Sequence, residues 1–224
     1  MSEERLGMVI DLAKCIGCNA CAVACKIENN VPQGKFNVWI ESWDVLSDDG
    51  RVRRANMPKK CNHCADAPCV SVCPTGASFR AEDGTVQVDP TRCIGCKYCM
   101  AACPYSVRWC DEQTGEVHKC TYCEHRTRYG LEPACVSTCP TGARAFGNLN
   151  DPNSKAAKLL AAAGGGEQYL SELGLDPAQH YLGLKETEAA SRVSNVHKGT
   201  VCASPRTEVC AVGTIIFVRI PRAA

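Results

Sequence analysis

Large apolar side chains are scarce in this sequence: its 224 residues include 3 Trp, 4 Phe, 6 Tyr and 4 Met. The hydrophobic share of 45% counts cysteine, and setting cysteine aside leaves a modest aliphatic core for a chain of one large or two small domains. Something besides apolar burial must help hold the fold. Long hydrophobic runs are missing too. Val209 to Val218, the best candidate, is about half of the roughly 20 residues that a membrane-spanning helix needs, and it ends at Arg219. The sequence is therefore not expected to anchor itself in a membrane. No export signal is expected either, because the opening MSEERLGMVIDL carries acidic residues and no apolar stretch. No nucleophile–base pair or convergent carboxylate site stands out, so side-chain catalysis is not expected.

What the sequence has in excess is cysteine, 19 residues, of which sixteen fall into four groups. These are Cys15-x2-Cys18-x2-Cys21-x3-Cys25, Cys61-x2-Cys64-x4-Cys69-x3-Cys73, Cys93-x2-Cys96-x2-Cys99-x3-Cys103 and Cys120-x2-Cys123-x11-Cys135-x3-Cys139. A proline follows the last three groups, whereas Lys26 follows the first. The third group is the bacterial ferredoxin run for a [4Fe–4S] cluster, in which two-residue gaps let three thiolates reach three irons of one cube. Gly95 lets that loop turn close to the cluster. The second spacing, taken alone, suits zinc as well. A disulfide framework requires no such regular spacing, which makes it the weaker reading. Sixteen thiolates and four cubes of about +2 each turn the formal charge of +1 into about −7, which removes the electrostatic basis for nucleic-acid binding.

The sequence repeats itself. Gly7 to Cys18 (GMVIDLAKCIGC) and Gly84 to Cys96 (GTVQVDPTRCIGC) both read as a strand, an Asp, a short turn and a cysteine loop. The second and fourth groups share the ending Cys-x3-Cys-Pro-Thr-Gly-Ala. Strands are expected at Leu6 to Asp11, around Phe36 to Trp43 with a turn at 48–50, and about the turns at Glu82 to Gly84 and Thr114-Gly115. A helix is expected after Cys21, and another from Asp151 as N-cap, with Pro152 in first position and Gly164 as terminator. The sequence ends in a strand-like VGTIIFVRI. This tail is expected to pack around the cysteine-rich part or against a partner.

In two-cluster ferredoxins the fourth cysteine of each run ligates the other cluster. Only a short hairpin separates the second and third groups, so these two are paired, and the first and fourth groups form the other pair. The resulting sets are Cys15, Cys18, Cys21 and Cys139; Cys120, Cys123, Cys135 and Cys25; Cys61, Cys64, Cys69 and Cys103; and Cys93, Cys96, Cys99 and Cys73. The fold class is then α+β: two bacterial-type 2[4Fe–4S] ferredoxin domains, one inserted in the other. The outer domain takes 1–54 and 111–150, the inserted one 55–110, and a C-terminal extension 151–224. His63 reads as a neighbour of a cluster loop rather than a ligand. Arg51, Arg53 and Arg54 read as a solvated face. Lys14, Lys26, Arg92, Lys97 and Lys119 lie beside cluster cysteines, either as ordinary exposed cations or as groups that raise cluster potentials. Cys110, Cys202 and Cys210 are expected to be buried free thiols, with a Cys202–Cys210 disulfide as the other choice.

With these motifs, among them ACKIENNVPQGKFNVWI, CIGCKYCMAACPY and KCTYCEHRTRYGLEPACVSTCPTGARAFGNLNDP, the sequence resembles the iron–sulfur B subunits of membrane-bound molybdopterin oxidoreductases. The polysulfide, thiosulfate, tetrathionate and dimethyl sulfoxide reductases are the nearest types, over about residues 5 to 160. The resemblance implies a non-catalytic electron-transfer subunit with four [4Fe–4S] clusters. It would sit between a molybdopterin catalytic subunit and a quinone-binding membrane subunit, peripheral to the bacterial cell membrane, on the periplasmic face by co-export or on the cytoplasmic face. A formate dehydrogenase or hydrogenase complex would use a similar module, and a zinc scaffold is the reading from another class.

Overall fold

The computed structural model describes residues 4–46 and 51–185. In chain order the elements are β1 (Leu6–Asp11), α1 (Ala20–Glu28), β2 (Val38–Leu46), β3 (Val52–Lys60), α2 (Pro68–Ser71), β4 (Ser78–Arg80) and β5 (Val86–Val88). There follow α3 (Tyr98–Ala101), β6 (Trp109–Cys110), β7 (Val117–His118), α4 (Glu124–Thr127), α5 (Ala134–Ser137), β8 (Arg144–Asn148), α6 (Lys155–Ala162) and β9 (Gln179–Leu182).

Met8, Val9 and Ile10 are fully buried, so β1 needs a neighbour on each edge to pair its backbone. It finds β8, antiparallel, and β9, parallel. Gly7 is required where β1 meets its neighbours: a Cβ there would lie 2.5 Å from Ala178 O. The other sheets are hairpins. β2 pairs with β3 from Val38↔Lys60 to Leu46↔Val52, β4 with β5, and β6 with β7. The expected turn at 48–50 and the strand-like end of the chain lie outside the described residues.

The internal repeat is structural. After β1, Asp11 Oδ1 accepts from Ala13 N at 3.1 Å; after β5, Asp89 Oδ1 accepts from Thr91 N at 2.9 Å. Both carboxylates thereby fix a turn that delivers the chain to a cysteine loop. In those loops Gly17 and Gly95 have φ 71° and 68°, and Asn19 and Lys97 have φ 60° and 64°. Among the helices α1 packs against α5 and α2 against α3.

Two expectations are corrected downstream. The last helix is capped by Ser154, whose hydroxyl accepts from Ala157 N at 3.1 Å; Asp151 instead closes a turn onto Asn153 N. Pro152 therefore lies before the helix, while Gly164 follows it at φ 70°. The polar stretch beyond contains β9, and its approach docks on the second cysteine loop through Ala178 N→Asn62 O, Ala65 N→Asp176 O and Asp66 N→Leu175 O.

Candidate cluster sites

Thiols take the place of large apolar side chains in the interior: Cys21, Cys25, Cys61, Cys64, Cys69, Cys99, Cys120, Cys123 and Cys135 are all buried. No described cysteine forms a disulfide. Cys15, Cys18, Cys21 and Cys139 line one space of about 320 Å³, together with Ile40, Pro58 and Arg144. Cys73, Cys93, Cys96 and Cys99 line a second, of about 330 Å³, with Val88 and Val117. Cys25 lies where Cys120, Cys135 and Cys123 would repel its thiolate, and Cys64 stands in the same relation to Cys61, Cys69 and Cys103.

Their chemistry fits a cluster rather than one ion. Four sulfurs at about 2.3 Å from a single zinc must converge closely, and among the described residues no three His, Cys, Asp or Glu side chains do so. Here the thiols ring a space. Burial pushes Cys64 up to about 12 and Cys120 up to about 11, and it raises Cys25 as well. Positive iron is what would hold these groups as thiolates.

The fourth cysteines of the two Cys-Pro-Thr-Gly-Ala endings are treated alike. Burial opposes ionisation of Cys73, but hydrogen bonds from Ser78 N and from Thr75 outweigh it and lower the thiol; Thr141 and Ala143 do the same for Cys139. Thr75 Oγ1 and Thr141 Oγ1 each lie 3.7 Å from the Sγ beside them. In the Cys25 set, Asn29 Nδ2 reaches Cys25 Sγ at 3.5 Å and Cys123 Sγ at 3.6 Å.

Between the Cys120 and Cys61 sets lies a polar seam. Lys60 and Lys119, each directly before the first cysteine of its group, are buried. Burial lowers Lys60 to about 8 against the pull of the neighbouring thiolates, and it lowers Lys119 too. Lys119 Nζ donates to Val86 O and to Cys120 O, while Lys60 Nζ donates to Cys61 O and lies 3.9 Å over the Tyr122 ring. His63 is buried against Tyr122, and its Nδ1 accepts from Val86 N at 3.1 Å. That ring is a packing group beside the loop.

The flanking cations divide. Lys14 pairs with Asp11, Arg92 donates to Thr75 O, and Lys26 holds Pro32 O and Lys35 O beneath the Phe36 ring. These three serve loop structure, whereas Lys97 lines the Cys73 space. The cations that touch sulfur were not singled out from the sequence. Arg108 donates to Cys69 Sγ at 2.9 Å and Arg144 to Cys21 Sγ at 3.2 Å. A signal was present, since each stands five residues past the last cysteine of a group. In the basic cluster Arg54 pairs with Asp44 on an exposed surface. Cys110 is half-buried rather than buried, its Sγ near Gly115 O at 3.3 Å; Cys202 and Cys210 lie outside the described residues.

Cys18 and Cys96 are the exposed thiols among the described residues, with Ile16 and Ile94 exposed beside them. No helix among the described residues is long and apolar enough to cross a membrane.

Comparison with known proteins gives two matches to 4Fe-4S dicluster domain families, over residues 52–149 and 14–77. Two dicluster domains account for four [4Fe–4S] clusters. The matches overlap and do not follow the division into an outer and an inserted domain. Among curated relatives, the B subunit of tetrathionate reductase from Salmonella typhimurium is 45% identical over 82% of this chain and 74% of its own. The B chain of polysulfide reductase from Wolinella succinogenes is 44% identical over 71% and 84%, and the B subunit of sulfite dehydrogenase from Allochromatium vinosum 37% over 85% and 90%.

Proposed function

We infer the function of this chain from the premise that it belongs to the iron–sulfur B-subunit family of 4Fe-4S dicluster proteins: it is the non-catalytic electron-transfer subunit of an oxidoreductase complex. In this reading its partners are a molybdopterin catalytic subunit and a quinone-binding membrane subunit, as in the polysulfide, thiosulfate and tetrathionate reductase types. The chain sits peripheral to the bacterial membrane within that complex, with the periplasmic face favoured. Relatives named as reductases and as a dehydrogenase leave the direction of flow to the partners.

Each cluster, when bound, takes up and gives back one electron. The protein holds the four clusters with the sets Cys15, Cys18, Cys21 and Cys139; Cys120, Cys123, Cys135 and Cys25; Cys61, Cys64, Cys69 and Cys103; and Cys93, Cys96, Cys99 and Cys73. The outer unit of 1–54 and 111–150 closes around an inserted 55–110, a division supported by α1 packing on α5 and α2 on α3. Sixteen cysteine ligands leave no open position for a substrate. The observation that carries the reading is the grading of exposure. The thiols of the Cys120 set, and those of the Cys61 set except half-buried Cys103, are buried, while the sets of Cys18 and Cys96 reach the surface beside exposed Ile16 and Ile94. Electrons enter at one end and leave at the other.

Anaerobically purified protein should contain about 16 irons and as many acid-labile sulfides. About four zincs instead would overturn the reading in favour of a scaffold. The large subunit that co-purifies then identifies the complex, and a catalytic partner without molybdopterin would move the assignment to a hydrogenase-type assembly.

A further inference from the structure

Two buried arginines have no carboxylate to answer their charge. Arg108 and Arg144 are each 6% exposed, and among the described residues neither forms an ion pair with Asp or Glu. A guanidinium stays charged in proteins, and an uncompensated charge in the interior is costly. What each arginine meets is cysteine sulfur. Arg108 Nη2 donates to Cys69 Sγ and to Ser78 Oγ, both at 2.9 Å. Arg144 Nη2 donates to Cys21 Sγ at 3.2 Å, and its Nη1 to Met8 Sδ at 3.7 Å.

Both occupy one position of the repeat. Arg108 follows Cys103 by five residues and Arg144 follows Cys139 by five, and each returns to the third cysteine of the group whose set that remote cysteine completes. At the same offset from Cys73 stands Ser78, whose N–H donates to Cys73 Sγ at 3.4 Å. Cys69, Arg108, Ser78 and Cys73 thus form an unbroken polar chain from one thiol set to the next. The charge of Arg108 also acts on Cys99 in the Cys73 set, and that of Arg144 on Cys135 and Cys25 in the set next to its own.

We propose that Arg108 and Arg144 are potential-setting residues, one for each ferredoxin unit, whose fixed positive charge is shared between two neighbouring clusters and acts most strongly on the one it hydrogen-bonds. This rests on the four-cluster reading above. Reduction adds one negative charge to a cluster, with no bond made or broken, and a buried cation favours that state; hydrogen bonds to sulfur act in the same direction. The arginines therefore decide how the potentials of each pair are spaced.

The test is redox-titrated EPR of the anaerobically purified protein, with iron content measured alongside, on the parent and on R108Q, R108K, R144Q and R144K. Each Gln variant that keeps its iron should lower the reduction equilibrium of one cluster about tenfold, about 59 mV for one electron. R108Q should act on the Cys61, Cys64, Cys69 and Cys103 cluster and R144Q on the Cys15, Cys18, Cys21 and Cys139 cluster, with a smaller fall in the neighbour. The Lys variants keep the charge and should stay within about threefold of the parent. Should the Gln variants lose iron, the Lys variants decide alone: near-parental potentials support charge control, and a tenfold fall overturns it. Unchanged potentials in iron-replete Gln variants overturn this inference and leave the four-cluster reading intact. A parent without iron removes both.

Discussion

His63 and Tyr122, the same position of two different cysteine loops, stack with ring centroids 3.8 Å apart and planes 14° from parallel. The stack fills the seam between the Cys61 and Cys120 sets, where Lys60 lies over the other face of the phenol ring. Tyr122 Oη has no hydrogen-bond partner there. Replacing Tyr122 by Ala should cost about 3–5 kcal/mol through the cavity left behind. Replacing it by Phe should be neutral or slightly stabilising, because a buried hydroxyl without a partner is a cost. Urea unfolding of the iron-replete protein separates the two, and a Phe variant as weak as the Ala variant would refute this account of the ring.

Cys103 stands in sequence with Cys93, Cys96 and Cys99 but in space with Cys61, Cys64 and Cys69. Cys103→Ser should therefore first disturb the cluster of the second group, seen as a loss or conversion of that one EPR signal. Damage confined to the cluster of Cys93, Cys96 and Cys99 would contradict the crossing.

Iron removal should unfold much of the chain. Iron ties together cysteine loops from distant parts of the sequence, and in small metal domains the free energy of metal binding is folding free energy, set against a total stability of about 5–15 kcal/mol. Oxidation and chelation under denaturant-free conditions should abolish near-ultraviolet circular dichroism together with iron loss. An iron-free protein with a native-like spectrum and a cooperative melt would count against that coupling.

Gly17 and Gly95 share a place in the repeat but not a neighbour. A Cβ at Gly95 lies 2.5 Å from Gly115 O, a backbone atom, whereas one at Gly17 meets the side chain of Asn56 at 2.6 Å. Both have positive φ, which costs an alanine about 1–2 kcal/mol. G95A should lose the Cys93 cluster, and G17A should keep its own with a smaller stability loss. Iron counts of the two variants check this, and equal retention would be the contrary result.

The strand, Asp and cysteine loop of the repeat were legible because each is a local backbone device: alternating burial, a carboxylate on the N–H two residues ahead, and glycine at positive φ. The four groups of cysteines were legible because cluster geometry restricts spacing. Less local choices were not. Asp151 and Ser154 are both good helix caps, and the choice fell to Ser154, whose hydroxyl also donates to Asn148 O at the end of β8 at 2.6 Å. β9 becomes a strand only because β1, more than 160 residues earlier, offers it a free parallel edge. Cations next to cysteines drew attention by adjacency, yet Lys14, Lys26, Arg92 and Lys119 pair with a carboxylate or backbone carbonyls, and the arginines that reach sulfur arrive from the far end of another group.

The crossing proposed for the cysteines would also impose an order on manufacture. On the proposed sets, the Cys61 and Cys93 clusters would lack no ligand once residue 103 has left the ribosome, whereas the Cys15 and Cys120 clusters would wait for Cys135 and Cys139. At about 5–20 residues per second the interval is roughly 2–7 s. During it the first thiols to be made, Cys15, Cys18 and Cys21, would stay unfinished and open to stray metals and oxidants, so that the oldest part of the nascent chain would be the last to be sealed.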